Sequence, residues 1–294
     1  MTKSTGLQRA YRIFSMIVLI VLAFAFIFPL YWIFTGAFKT PVSINAPVPD
    51  WIPKELVLDN FKKLFSRQSA PLFELGALKG PQVPAALRWM GNTVFMAVSA
   101  RILTCITAAM AGYALAKKRF RGRILLFTLI VCAMALPKQV ILIPLIREMS
   151  ALKLYNTIWA VILPTVGWPF GVFLMKQFSE GIPGEMLEAA RIDGANEWKT
   201  FTNIVFPMVQ PGVGALAIFT FINSWNGYFM QLIMLSSTQN LTISLGIAKL
   251  QAENATDFGL IMAGAALAAV PILIVFIVLQ KYFTKGITMG AVKG

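Results

Sequence analysis

The sequence predicts an all-α, polytopic membrane protein with six transmembrane helices, and three observations carry that expectation. The 294-residue chain is 57% hydrophobic and only 13% charged, with a mean hydropathy of +0.72, whereas a soluble domain carries about a quarter charged residues. Several long runs hold no charge, each near the ~20 apolar residues that a spanning helix needs. Basic residues cluster beside those runs, so the net charge of +14 reads as orientation in a membrane. No basic stripe with interleaved aromatics occurs, which makes membrane lipid the expected surroundings and nucleic acid no partner. There is no histidine, and Cys105 and Cys132 both lie in apolar runs. The commonest general base is therefore missing, and no disulfide or metal framework is implied.

The first span lies within 13–38. That uncharged run exceeds the ~7–15 residues of a signal-peptide core and shows no small-residue cleavage site, so it is expected to be retained. Pro29 inside it predicts a kink. Residues 39–88 are rich in proline and mixed charge ("TPVSINAPVPDWIPKE", then "SAPLFELGALKGPQVP") and predict an ordered extramembrane loop with short helices. The second span, 89–116, is interrupted by Arg101 and followed by the basic loop "KKRFRGR". The third, 124–146, contains Pro137, Lys138 and Pro144. The fourth, 154–175, contains Pro164 and Pro169. A polar island at 177–208 follows. No charge occurs from Thr200 to Ala248, but "LSSTQNLT" marks a turn, which places the fifth span at 209–235. The sixth is 258–280, leaving a tail at 281–294. If the spans alternate, the N-terminal tail, the basic loop, the polar island and the C-terminal tail share one side. Three of these four are strongly net positive, so that side and both termini are expected to be cytoplasmic. The 39–88 loop is then extracytoplasmic.

The island "EMLEAARIDGANEWKTFTNIVFPMVQPG" reads locally as two short helices around a turn. Pro183 stands where a helix begins, and Glu185 and Glu188 suit the positive end of its dipole. Gly194 is placed to take the left-handed conformation that ends a helix. Ala195 to Phe206 continues helically until Pro207 and Pro211. Glu185, Ala189 and Ile192 share one face of the first helix, Glu188 and Arg191 another, and small Ala189 and Ala190 allow close approach to another surface. On this local physics alone, a plain solvated connector serves equally well.

The motif "EAARIDGA", with "FTNIVFP" at a fixed distance, resembles the coupling loop of ABC importer permeases through Glu188, Ala189, Ala190, Asp193, Gly194, Ile204 and Pro207. "AGYALAKKRFRGR" and "KGITMGAVKG" resemble the carbohydrate-uptake, maltose-permease branch of that family. The resemblance runs from Asn92 to the C-terminus. It implies a type I ABC importer permease in the bacterial cytoplasmic membrane, importing an oligo- or polysaccharide. Glu185, Glu188, Ala189, Ala190, Asp193 and Gly194 would then couple to an ATPase, and Gly290, Val292, Lys293 and Gly294 would insert between ATPase subunits. The implied partners are a homologous permease, two ATPase subunits and an extracytoplasmic solute-binding protein docking on 39–88. No G-x-x-x-x-G-K-[ST] string occurs, so no cofactor is expected on this chain, and ATP and Mg belong to the ATPase. An ion-coupled secondary transporter is the alternative, but such proteins bury Asp, Glu or His in their spans, and these spans carry none. A membrane enzyme would lack general acid–base candidates.

For the translocation path, Thr220, Asn223, Gly227 and Gln231 recur at helical spacing, with Trp225, Asn226 and Tyr228 adjacent. Amides match sugar hydroxyls, and ring faces match the C–H faces of pyranoses. Interhelical hydrogen bonding and interfacial aromatics are the alternative. The family often shows Trp-Asn-Asp here, whereas this chain has Gly227 in place of the acid. Arg101 lies inside its span, because the stretches on either side are too short to cross ~30 Å at ~1.5 Å per residue. A charge there must face protein or water, and its helical neighbours Ala97, Thr104, Ala108 and Ala111 are small or weakly polar. Arg101 is either structural, bonded to carbonyls or to the partner permease, or a cation of the pathway favouring an anionic saccharide such as a uronate oligomer.

Overall fold

The computed structural model describes residues 6–48, 50–75, 78–253 and 257–291. Its elements are, in order, α1 (Gly6–Ala37), α2 (Pro41–Ile44), α3 (Asp59–Ser66), β1 (Ser69–Pro71), β2 (Glu74–Leu75), β3 (Leu78–Lys79), β4 (Gln82–Pro84), α4 (Ala85–Lys117), α5 (Arg123–Met134), α6 (Leu142–Ala151), α7 (Trp159–Val166), α8 (Pro169–Glu180), α9 (Gly184–Ile192), α10 (Glu197–Thr200), α11 (Phe206–Met208), α12 (Gln210–Asn226), α13 (Tyr228–Met234), α14 (Ile243–Glu253) and α15 (Phe258–Ala291). Among the described residues, Gln8–Ala37, Ala85–Lys117, Trp159–Glu180 and Phe258–Val278 are long and apolar enough to cross a membrane. Counting each of two bent helix pairs as one span brings the number to six. This is an all-α, multi-pass membrane fold.

The chain clusters into two compact units, 1–69 with 247–269, and 70–246 with 270–294. In the first, α1 carries a sheath of exposed apolar side chains from Ile13 to Phe28, as a helix with lipid for its solvent must. Pro29 stands within this helix. Its C-terminal carbonyls are satisfied by Asn60 of α3, whose Nδ2 donates to the Ala37 and Lys39 carbonyls at 3.0 and 2.8 Å. Lys39 is buried with Nζ 4.1 Å from the centre of the Trp32 ring, and Phe28, Trp32 and Trp51 pack at centroid distances of 5.8–6.2 Å.

In the second unit, α4 is the axis on which α8 and α12 pack. Gly112 makes the closest approach: a Cβ there would stand 2.6 Å from backbone atoms of Met175 and Lys176. Small residues at such a crossing let two helix backbones meet in a medium that offers no hydrophobic driving force between them. At the other end of α4, Trp89 Nε1 donates to the Thr238 carbonyl at 2.7 Å, and Asn92 Nδ2 donates to those of Gln239 and Leu241, both at 2.8 Å.

The structure departs from the sequence expectation at several breaks. The 124–146 span is not straight: Arg123–Met134 and Gln139–Ala151 meet at 100° around Pro137. The 154–175 span is displaced along the chain. Asn156 takes φ 60, its Oδ1 accepts from Ser236 and Ser237 N–H at 2.9 and 3.0 Å, and the helix begins only at Trp159. The 209–235 span breaks at Gly227 between α12 and α13. The helix at 258–280 continues to Ala291, through much of the segment expected to be a tail. In the 39–88 loop, β1 pairs with β4 and β2 with β3 beside the expected short helices.

Candidate coupling site and translocation path

The polar island folds as α9, a turn, and a second helix running Glu197–Met208. Pro183 precedes the first residue of α9, and Glu185 lies in the first turn. At the other end the Ala195 N–H donates to the Ala190 carbonyl at 2.9 Å and the Gly194 N–H to the Arg191 carbonyl at 3.1 Å, with Gly194 at φ +74. These are the six-to-one and five-to-two bonds of a Schellman turn, and the positive φ is the one expected for this glycine. Asn196 then caps the second helix, its Oδ1 accepting from the Lys199 N–H at 2.8 Å. That helix contains a π segment, Phe201–Val205, and runs past Pro207 to Met208, where it meets α12 at 76°. It thus ends between Pro207 and Pro211, the two prolines expected to stop it.

Burial sorts the residues of α9. Leu187 joins a core with Tyr113, Met175, Ile182, Phe201 and Val205. Glu185, Glu188, Ala189, Asp193 and Gly194 are exposed, as are Met186 and, at 86%, Ile192. Ala190, read from the sequence among the coupling residues, is 5% exposed and faces inward. Its small side chain lets α9 lie against its own chain. The outer face thus combines carboxylates with bare apolar side chains, a composition suited to a protein surface.

Of the residues expected on the path, Arg101 is half-buried on α4 beside buried Ala97, Thr104 and Ala108. It makes no hydrogen bond or ion pair among the described residues. Asn223, Asn226 and Tyr228 are exposed at the α12–α13 break. Trp225 and Gln231 are not: Trp225 stacks on Phe221 at 5.5 Å, and Gln231 is fully buried, donating from Nε2 to the Ser224 carbonyl at 2.9 Å and accepting from Thr242 Oγ1. Gln231 thus bonds across the break. The Thr220 and Ser224 hydroxyls are buried beside it with no partner among the described residues. Gly227 has ψ 55, and a Cβ there would stand 2.8 Å from the Asn223 carbonyl oxygen, a local reason for glycine where the family often has an acid. Gly290 lies within α15, while Val292, Lys293 and Gly294 lie outside the described residues.

Broken spans around one long axial helix, with a polar two-helix loop folded onto their ends, define a membrane transport component. The chain belongs to the family of binding-protein-dependent transport system inner membrane components, whose model it matches over residues 106–289. It is accordingly a non-catalytic, multi-pass permease subunit of the inner membrane. It is 35% identical over 275 residues to an arabinooligosaccharides transport system permease protein of Halalkalibacterium halodurans, covering 93% of each chain. It is 30% identical over 276 residues to a lactose transport system permease protein of Rhizobium radiobacter, covering 94% of each. A solved bacterial ABC transporter involved in the import of the acidic polysaccharide alginate contains a chain of the same fold, with a TM-score of 0.80 at 21% identity, covering 96% of this chain and 100% of that one.

Proposed function

We propose that this permease works in an ATP-driven importer of oligo- or polysaccharides, forming the translocation path with a homologous permease. Two ATPase subunits would carry ATP and Mg, and an extracytoplasmic binding protein would deliver sugar to the 39–88 loop. The observation that carries this reading is α9, whose outward face of Glu185, Glu188, Ala189, Ile192 and Asp193 is exposed while its inward face is built into the ends of α4 and α8. ATP binding closes the ATPase dimer, the coupling helices move together, and the spans rock from inward- to outward-facing. The relatives named for arabinooligosaccharides and lactose support a sugar as cargo. Copurification of an ATPase with the tagged chain, and ATP-dependent oligosaccharide uptake by the reconstituted complex, test the reading. Uptake driven by an ion gradient without an ATPase would replace it.

Arg101 refines the cargo. With no carbonyl or carboxylate bound to it among the described residues, its charge is available to the path, and the favoured substrate is an anionic saccharide such as a uronate oligomer. Arg101→Gln is expected to lower uptake of the charged oligomer far more than that of a neutral one. An equal loss for both returns Arg101 to a structural role.

A further inference from the structure

Two cations of the basic loop turn inward. Lys117 donates from Nζ to the Glu180 and Ile182 carbonyls at 3.0 and 2.6 Å, taking up carbonyls left free at and beyond the end of α8. Lys118 pairs with Glu197 Oε2, and the Tyr113 O–H reaches the same oxygen at 3.4 Å. Lys118 Nζ also lies 5.1 Å from the centre of the Tyr113 ring, and that ring is 5.9 Å from Phe201. Glu197 opens the helix that follows the Gly194 turn, so the α4 end and the loop bearing α9 share one charged knot.

We propose that Lys118 and Glu197 are positioning residues that tie the α9 loop to the end of span α4, so that a push on α9 moves α4 with it. The proposal rests on the reading of α9 as the helix that docks on the ATPase. Apolar contacts of Leu187, Phe201 and Val205 hold the loop against the core, but such contacts are non-directional and resist separation better than sliding. An ion pair braced by a buried tyrosine fixes the register. Gly112 leaves no slack between α4 and α8, and Lys117 fastens the same turn of α4 to the end of α8. Displacement of α9 therefore enters α4 at 113–118 and reaches Arg101 along one unbroken helix. The two side chains are 27% and 64% exposed, and exposed pairs contribute little to folding stability. The expected effect of breaking the pair is lost coupling in a complex that still assembles.

The test uses the complete complex in vesicles, with partner permease, ATPase and sugar-loaded binding protein, and reads sugar uptake per ATP hydrolysed. Lys118→Glu and Glu197→Lys are each expected to lower that ratio about fivefold or more while the ATPase still copurifies. The double exchange Lys118→Glu with Glu197→Lys is expected to restore most of it. Where a charge reversal prevents assembly, Lys118→Met and Glu197→Gln take its place with the same expected direction. An unchanged ratio in the single variants, or a double exchange as poor as either single, would overturn the tie. If the wild-type chain itself neither copurifies with an ATPase nor imports, the underlying assignment of α9 fails instead.

Discussion

Two glycines do opposite work in this chain. At Gly194 no atom lies within 4 Å of where a Cβ would stand, but φ is +74; at Gly112 the φ is helical, but a Cβ would meet backbone 2.6 Å away. Substitution at Gly194 therefore strains only the chain's own backbone, by roughly 1 kcal/mol or more for a β-branched residue. Gly194→Val is expected to insert in the membrane and lose transport, while Gly194→Asn, which tolerates the left-handed region, retains much of it. Uptake and membrane content of both variants check this, and normal uptake by Gly194→Val would sink the coupling assignment. Gly112→Val should instead remove the folded protein, because α4 and α8 must part. Gly194 was legible in the sequence, since a glycine ending an amphipathic turn has a local meaning. Gly112 was not, because the helix that crosses it is more than sixty residues away in the chain. The same holds for Glu197, whose partner Lys118 belongs to a loop that reads only as basic.

Helices were legible as runs but not as segments with breaks. The apolar stretches overlap the four long helices among the described residues, because bilayer thickness sets their length. Their interruptions depend on distant side chains that take up the freed backbone groups. Gln231 bonds the Ser224 carbonyl across the Gly227 break and is itself bonded by Thr242, so an amide that reads as sugar-binding is committed to structure. Gln231→Leu leaves that carbonyl and the Thr242 hydroxyl without partners inside the fold, and is expected to cost about 1–2 kcal/mol, read as a lowered unfolding midpoint in detergent. An unchanged midpoint with lost sugar uptake would return Gln231 to the path. Two- and three-residue strands in the 39–88 loop have no period to read, so their pairing came only with the structure. Titration of the α4–α10 tie is also set at this scale. The bond from Lys118 holds the Glu197 carboxyl below its ordinary 4.5, with burial opposing. Burial pushes Lys118 down, but its bonds with Glu197 and Tyr113 outweigh that and hold it above 10.5. A depressed carboxyl contributes above its unfolded pKa and loses that contribution as pH falls through the folded one. A raised amine contributes below its unfolded pKa and loses it as pH rises through the folded one. The tie is therefore complete from pH 4.5 to 10.5, and the loss of coupling in Glu197→Gln is expected to be equal at every pH within that window. A loss that changed around neutrality would place the responsible titration elsewhere.

For the whole molecule, the orientation expected from charge beside the spans governs which partner each surface can meet. The exposed basic loop at Arg119–Arg121 joins α4 to α5, whereas the 39–88 loop is long and of mixed charge, which weighs little in setting orientation. If the basic loop is cytoplasmic, α9 shares its side, since Lys117 and Lys118 bond directly to the residues flanking α9. α9 and the basic loop must therefore change sides together or not at all. Single cysteines in a Cys105→Ser, Cys132→Ser background measure this directly. Val48 is 78% exposed in the 39–88 loop, so Val48→Cys is expected to react with a membrane-impermeant maleimide on intact spheroplasts. Arg121→Cys and Ile192→Cys are expected to react only after permeabilisation, and Ile192→Cys less when the ATPase is bound, because Ile192 stands on the exposed face of α9. Labelling of Arg121→Cys from outside with protection of Val48→Cys would invert the molecule and remove the ATPase from α9. Labelling of Arg121→Cys and Ile192→Cys on opposite sides would contradict the packing of the two loops against each other.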